Sequence, residues 1–200
     1  MAEERPTRDR IVDQAMRLFG ERGYSATSVA EIETATGLVG GGGGLYRHFR
    51  SKRAVLEAGV RRQIASNGDL LARLRAAFVP GEPLLDRLRR LGHAGIARLD
   101  RERDLNRLLV RDLRHFPDLL EVTARDELRP VHDALAGWLA TAPGASDVDA
   151  PAVAAVLAGA TAHYWLLRDV FGEHPSGVSV ERYVDALARL AASTLSEAHP

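Results

Sequence analysis

The chain has no cysteine, which excludes disulfides, thiolate nucleophiles and cysteine-ligated zinc or iron–sulfur centres, so nothing in it asks for an oxidising compartment. It also has no net charge. Its 27 Lys and Arg balance 27 Asp and Glu, so a polyanionic partner would have to be met by a local patch. Lys52 is the only lysine among many arginines. Alternating runs of Val, Ile, Thr and Tyr are missing, which argues against a sheet. No uninterrupted apolar run approaches the roughly 18 residues of a membrane helix, and Met1 to Arg10 is charged rather than apolar. A soluble, cytoplasmic protein is the expectation. There is no nucleophile elbow, zincin pattern, dinucleotide fingerprint or defined carboxylate pair. Neither an enzyme nor a cofactor is therefore expected. His115, His132, Asp112, Asp118 and Asp133 fit no standard metal spacing.

What the chain does have is helical periodicity almost throughout its 200 residues, with apolar positions three and four apart. Breaks at Gly23, the glycine run Gly40–Gly44, Asn67-Gly68, Pro80 to Pro83, Pro117, Pro143 to Asp149 and Gly172 to Gly177 delimit roughly nine helices. The first three are short, and the later ones are longer and rich in Leu and Ala. The expected fold is all-α, with a small head over residues 1–60 and a larger bundle over 61–200.

The head can be read residue by residue. Thr7 is placed to cap a first helix, with Ile11, Ala15, Leu18 and Phe19 on one face and Gly23 as its stop. Ser28 and Glu31 are spaced as a capping box for a second helix, whose inner stripe is expected to be Val29, Ile32 and Ala35 and which Gly37 ends. Leu45 and Phe49 face inward from a third, and Ser51 can cap a fourth carrying Val55, Leu56, Val60 and Ile64. Two short helices around a tight corner suggest a helix-turn-helix. With Leu45 and Phe49 inward, Arg47 points outward, flanked by Tyr46 and Arg50 on one side and His48 on the other. Arg47, Arg50, Lys52 and Arg53 follow with no intervening acid, a pattern that suits phosphate and equally suits a solvated helix C-terminus.

The stretches "IVDQAMRLFGERGYSATSVAEIETATGL" and "LYRHFRSKRAVLEAGV" resemble the tetracycline-repressor (TetR/AcrR-like) family of bacterial transcription regulators from about Arg10 to Val60. The remainder resembles that family's divergent helical ligand-binding and dimerisation domain more loosely. The resemblance implies a homodimer whose heads enter successive major grooves of a double-stranded DNA operator, and a small-molecule effector in the larger domain that alters their separation through the helix starting at Ser51. It implies phosphate contacts from the Thr27 hydroxyl, the Tyr46 and His48 pair and Lys52. With Ser28, Arg47, Arg50 and the amides of Gly43 and Gly44, these form the candidate DNA-binding set.

The usual family turn is two residues shorter and often supplies Ser, Lys and Thr to base edges, whereas here Val39 and Gly40–Gly44 offer no polar side chain. Five helical glycines would oppose folding by about 5 kcal/mol, so most of the run is expected to be a lengthened, mobile turn. Three readings stand: free amides that meet a phosphate, a permissive spacer, or a reading head emptied of specificity. The last would leave a regulator-like ligand sensor or protein-interaction protein. A phosphate-binding P-loop is disfavoured because Leu45-Tyr46 stands where its lysine and hydroxyl belong.

In the bundle, Phe78, His93, Phe116, Trp138, His163, Tyr164 and Trp165 are candidate pocket walls, each equally explicable as core. Pro130 is expected to kink its helix. Ala155, Ala158, Gly159 and Ala162 form a small-residue face, and Val184, Ala188, Ala191 and Leu195 a stripe on the last helix. These are candidate dimer contacts, with an intramolecular core as the alternative.

Overall fold

The computed structural model describes residues 6–65, 81–142, 144–145 and 148–196; Phe78 lies outside them. The described residues form α1 (Thr7–Arg22), α2 (Val29–Thr36), α3 (Lys52–Ala65), α4 (Leu84–Arg101), α5 (Arg103–Arg111), α6 (Pro117–Thr123), α7 (Arg129–Leu139), α8 (Ala150–Phe171) and α9 (Val180–Ser196). Two 3-10 turns, Leu45–Arg47 and Leu113–His115, and a π turn, Ala124–Leu128, complete them, and no strand occurs among the described residues. The protein is all-α, as expected.

Two compact units emerge, Met1–Ser66 with Glu102–Asp126, and Asn67–Arg101 with Glu127–Pro200. A single division at residue 60 thus differs from the contacts, which join Glu102–Asp126 to the head. The reason is packing. Leu105, Leu108, Leu113 and Leu119 are buried in the same cluster as Ile11, Phe19, Ile32, Leu45 and Leu56, and each such side chain withdrawn from water stabilises by about 1.5–3 kcal/mol. Arg111 fastens the segment further, donating to the Phe19 and Gly20 carbonyls at the C-terminal end of α1.

Local signals account for several helix ends in this unit. Ser28 and Glu31 make the reciprocal capping box, Gly37 closes α2 at φ 82°, and the Ser51 hydroxyl accepts the Ala54 amide at 3.1 Å. Thr7 is the first residue of α1 rather than its cap; Pro6 stands at the cap position and makes no side-chain bond. The inner face of α2 also departs from expectation. Ala35 is exposed, whereas Glu33 and Thr36 are buried.

Asp104, in the first turn of α5, packs where α1 passes so closely that a Cβ on Gly20 would lie 2.5 Å from its carboxylate. Burial raises its pKa above the ordinary 3.8, opposed by Arg107. A carboxyl with a raised folded pKa favours folding below its unfolded pKa, and that contribution is lost as pH rises through the folded value. Asp104→Asn is therefore expected to gain stability relative to the parent as pH climbs from about 4 to 7. Thermal melts across that range that run parallel for both proteins would contradict this.

The second unit packs α4, α7, α8 and α9 around two apolar clusters. One holds Leu88, Leu139, Ala154, Ala188 and Leu195, and the other Ile96, Tyr164 and Trp165. Polar ties join its helices. Arg89 of α4 pairs with Asp185 of α9, and Asp100 accepts from Trp165 Nε1 at 3.1 Å and from Arg168 of α8 at 2.6 Å. The disturbance expected at Pro130 takes the form of the π turn just upstream, a usual accommodation where the i to i−4 ladder is interrupted. Among the described residues, α8 is long and apolar enough to cross a membrane by length and composition alone, with 22 residues and a mean hydropathy of 1.4 over its most apolar stretch. Its Trp165 and Arg168 donate to Asp100 of α4, which ties α8 into the second unit.

Candidate nucleic-acid interface

The glycine run forms a turn that leads directly into the Leu45–Arg47 3-10 turn, so the presenting element is shorter than the third helix expected over Leu45 to Phe49. Leu45 and Phe49 are buried as expected. Tyr46, Arg47, His48 and Arg50 are exposed, Tyr46 to 56%. Among the described residues, no acid engages Arg47 or Arg50. Arg8, which the sequence reading passed over, lays its guanidinium over the Phe49 ring at 4.6 Å and adds a cation at the base of this face.

Other candidates have internal employment. The Thr27 side chain is only 1% exposed, and its hydroxyl donates to the Gly23 carbonyl at 2.9 Å. As placed, it serves the α1–α2 loop and is not available to a phosphate. Lys52 Nζ donates to the Tyr24 and Thr27 carbonyls at 2.9 and 2.8 Å and lies over the Tyr24 ring at 4.2 Å. Burial lowers its pKa, against the pull of Glu31. It braces the same loop. Arg53 pairs with Asp118. Ser28 is exposed, but its hydroxyl and amide both meet Glu31, whose own pKa the Ser28 backbone hydrogen bond holds down.

The turn itself is built around Glu33. The Gly41 amide donates to Glu33 Oε2 at 2.7 Å and the Leu45 amide to Oε1 at 2.9 Å, while Gly42 N–H returns to the Val39 carbonyl at 3.0 Å. Among the described residues, the amides of Gly43 and Gly44 carry no hydrogen bond. The glycines are sterically required at particular places: Gly41 and Gly43 take φ of 75° and 72°, and a Cβ on Gly40 would lie 2.5 Å from Thr34 Oγ1. Of the amides around the start of the 3-10 turn, that of Leu45 is spent on Glu33, whereas the candidates at Gly43 and Gly44 are not bonded among the described residues.

The second unit contains a cavity of about 320 Å³. Its wall is mostly Leu, Ala, Val and Gly from all four helices, with Arg98, His132 and Thr161 as the polar members. The ring nitrogen Nδ1 of His132 faces the Leu128 carbonyl at 2.8 Å, which in a neutral ring makes Nδ1 the donor and leaves Nε2 an acceptor. None of the described aromatic and histidine candidates lines this space. His93 and His163 are exposed, Trp138 packs on one apolar cluster, Tyr164 and Trp165 fill the other, and Phe116 belongs to the first unit, edge-on to Tyr24. Large rings fill volume, and small residues leave it. Seven of the eight residues expected at a dimer contact, Ala155, Ala158, Gly159, Ala162, Val184, Ala188 and Ala191, line the cavity; Ala155, Gly159 and Ala162 are also exposed, and Leu195 is buried in the core. The unpartnered apolar side chains on the last two helices are others: Val156, Val170, Phe171 and Leu190, each more than 60% exposed.

A compact helical head that displays a short basic and aromatic turn beyond a tight corner is a helix-turn-helix module. Residues 11–58 match the family model for bacterial regulatory proteins of the tetR family. The transcriptional regulator AcrR of Shigella flexneri is 37% identical over 82 residues, 41% of this chain and 37% of its own. The uncharacterized regulator YvkB of Bacillus subtilis is 33% identical over 67 residues, 34% of each chain. The matched segments thus span little more than a third of these relatives. In structure, a TetR-like transcriptional regulator from Rhodococcus sp. RHA1 superposes with a TM-score of 0.71 at 20% identity, covering 98% of this chain and 99% of that one. FadR of Bacillus subtilis in complex with stearoyl-CoA gives 0.65 at 14%, covering 93% and 98%. The structural likeness is one of fold, and the sequence likeness to the tetR family of regulatory proteins lies in the head, residues 11–58.

Proposed function

We propose that the chain is a ligand-responsive, sequence-specific transcriptional regulator, a repressor, that binds a palindromic double-stranded operator as a homodimer in the cytoplasm. The observation that carries this reading is the exposed row Tyr46, Arg47, His48 and Arg50, paired with no acid among the described residues, on a module that resembles DNA-binding heads. Imidazole, phenol and guanidinium donors suit phosphate oxygens, and an arginine can read guanine O6 and N7 in a bidentate way. Residues 1–60 carry DNA binding, and the second unit, which lies within 61–200, carries effector binding and dimerisation. A two-fold dimer sets half-sites about one helical turn apart, near 34–36 Å. The exposed Val156 and Leu190 on α8 and α9 add large apolar dimer contacts beside the exposed small residues Ala155, Gly159 and Ala162. The effector is mostly apolar, to match the cavity wall, and carries a polar group for Arg98, His132 or Thr161. An effector that favours a form unsuited to DNA weakens DNA binding by the same factor that DNA weakens effector binding.

Selection of bound duplexes from a random-sequence pool, followed by affinity measured over 50 to 200 mM salt, tests this. A palindromic consensus and a log–log slope of several units are expected, as about 0.9 counterion is released per phosphate neutralised. A flat pool with no consensus would favour the ligand sensor without DNA reading.

A further inference from the structure

A carboxylate on the inner face of α2 is not needed to build a helix-turn-helix, yet Glu33 has no exposed surface at all. We infer that Glu33 is a positioning residue for base reading: its carboxylate is the internal anion around which the glycine turn closes, and it fixes the point from which Tyr46, Arg47 and His48 are presented. This inference rests on the DNA-binding reading above.

The geometry ties three parts of the turn to one residue. The main-chain carbonyl of Glu33 accepts the Leu38 amide at 2.8 Å, its Oε2 accepts Gly41 and its Oε1 accepts Leu45. Leu45 opens the 3-10 turn and is itself fully buried. The presenting segment is therefore held at both its side chain and its amide, and Arg47 follows two residues later. Between the outer anchors, Leu38 and Leu45, the left-handed Gly41 and Gly43 and the close approach of Gly40 to Thr34 let the six residues Val39 to Gly44 fold back over α2. A buried carboxylate is unfavourable unless it accepts hydrogen bonds, and charge-assisted bonds from amides are the strong kind. Glutamine offers one acceptor oxygen and an NH2 group, which would oppose one of the two amides donor to donor. The length and the charge of this side chain are both used. On this account the absence of side chains in the glycine run does not empty the reading head; it lets the backbone wrap an internal anion that sets the register of the next turn.

The test uses the full-length chain, labelled with 15N, with Glu33→Gln and Glu33→Ala, and a duplex selected by the parent protein beside a scrambled duplex of equal length. For Glu33→Gln, exchange of the Gly41 and Leu45 amides should accelerate by about tenfold or more while amides of α1 are unchanged. The ratio of selected to scrambled affinity should fall by about tenfold, with scrambled binding held within about twofold of the parent. Glu33→Ala should show the same split more strongly; should it fail to fold, the Glu33→Gln comparison still decides. Unchanged exchange would overturn the anchoring role. Faster exchange with full selectivity, or equal losses on both duplexes, would overturn the positioning role. A parent protein that selects no duplex defeats the DNA-binding reading and this role with it, whereas the exchange measurement still reports separately on the anchor.

Discussion

Replacing Arg98 by alanine is expected to destabilise the second unit by about 3–5 kcal/mol. Arg98 Nη2 lies 2.9 Å from Glu127 Oε1, and the two side chains are only 11% and 3% exposed. An ion pair so far from water gains little net energy over an apolar pair, because both charges were desolvated to make it. Removing one partner alone is different, because it leaves the Glu127 charge in a medium that solvates it poorly. Both tryptophans, Trp138 and Trp165, belong to this unit, so tryptophan fluorescence during denaturant unfolding reports on it directly. Arg98→Met combined with Glu127→Leu should recover most of the loss, since that double change removes the charges together. A loss below about 1 kcal/mol for Arg98→Ala would show that the pair behaves as a surface pair does. The same substitution also removes one of the three polar groups on the cavity wall, so the more stable double variant is the one in which to ask whether effector binding needs the guanidinium.

How much of this was legible in the sequence depends on the range over which each interaction acts. The Ser28–Glu31 box, the Gly37 stop, the Ser51 cap and the inward pair Leu45 and Phe49 were readable because each is settled within a few residues by backbone geometry. Thr27 and Lys52 were identified as donors, but their acceptors were not. A hydroxyl or ammonium that suits a phosphate oxygen suits a carbonyl equally well, and only the packing of α3 against the α1–α2 loop brings the Tyr24 and Thr27 carbonyls to Lys52. Glu33 was invisible for the opposite reason. A carboxylate in a short helix reads as a solvated position, and its burial depends on amides eight and twelve residues away. The joining of Glu102–Asp126 to the head rests on contacts about 90 residues apart, such as Arg111 with Gly20, which periodicity does not encode. On α8 the spacing of Ala155, Ala158, Gly159 and Ala162 marked a small-residue face but could not say whether it met a partner or a cavity, since both accept Ala and Gly.

The presenting turn has one consequence for DNA reading that separates the roles of its arginines. Leu45–Arg47 is a single 3-10 turn, so few side chains can reach base edges from it, and Arg47 is the long donor directed away from the buried Leu45 and Phe49. Arg47→Ala is expected to remove about 1–3 kcal/mol of discrimination between the selected duplex and a scrambled one, roughly a 5- to 150-fold loss of selectivity, with little change in scrambled binding. Arg50, exposed at the flank, should contribute mainly through phosphate charge, so Arg50→Ala should weaken both duplexes alike and reduce the salt slope by about one unit. Fluorescence anisotropy with both duplexes at several salt concentrations measures the two effects together. The physical basis of the contrast is that a bidentate contact to a base is lost only where that base is present, whereas a phosphate is met on every sequence. Equal losses on both duplexes for Arg47→Ala would reassign it to the backbone, and selectivity would then have to come from Tyr46 or from the shape of the duplex itself.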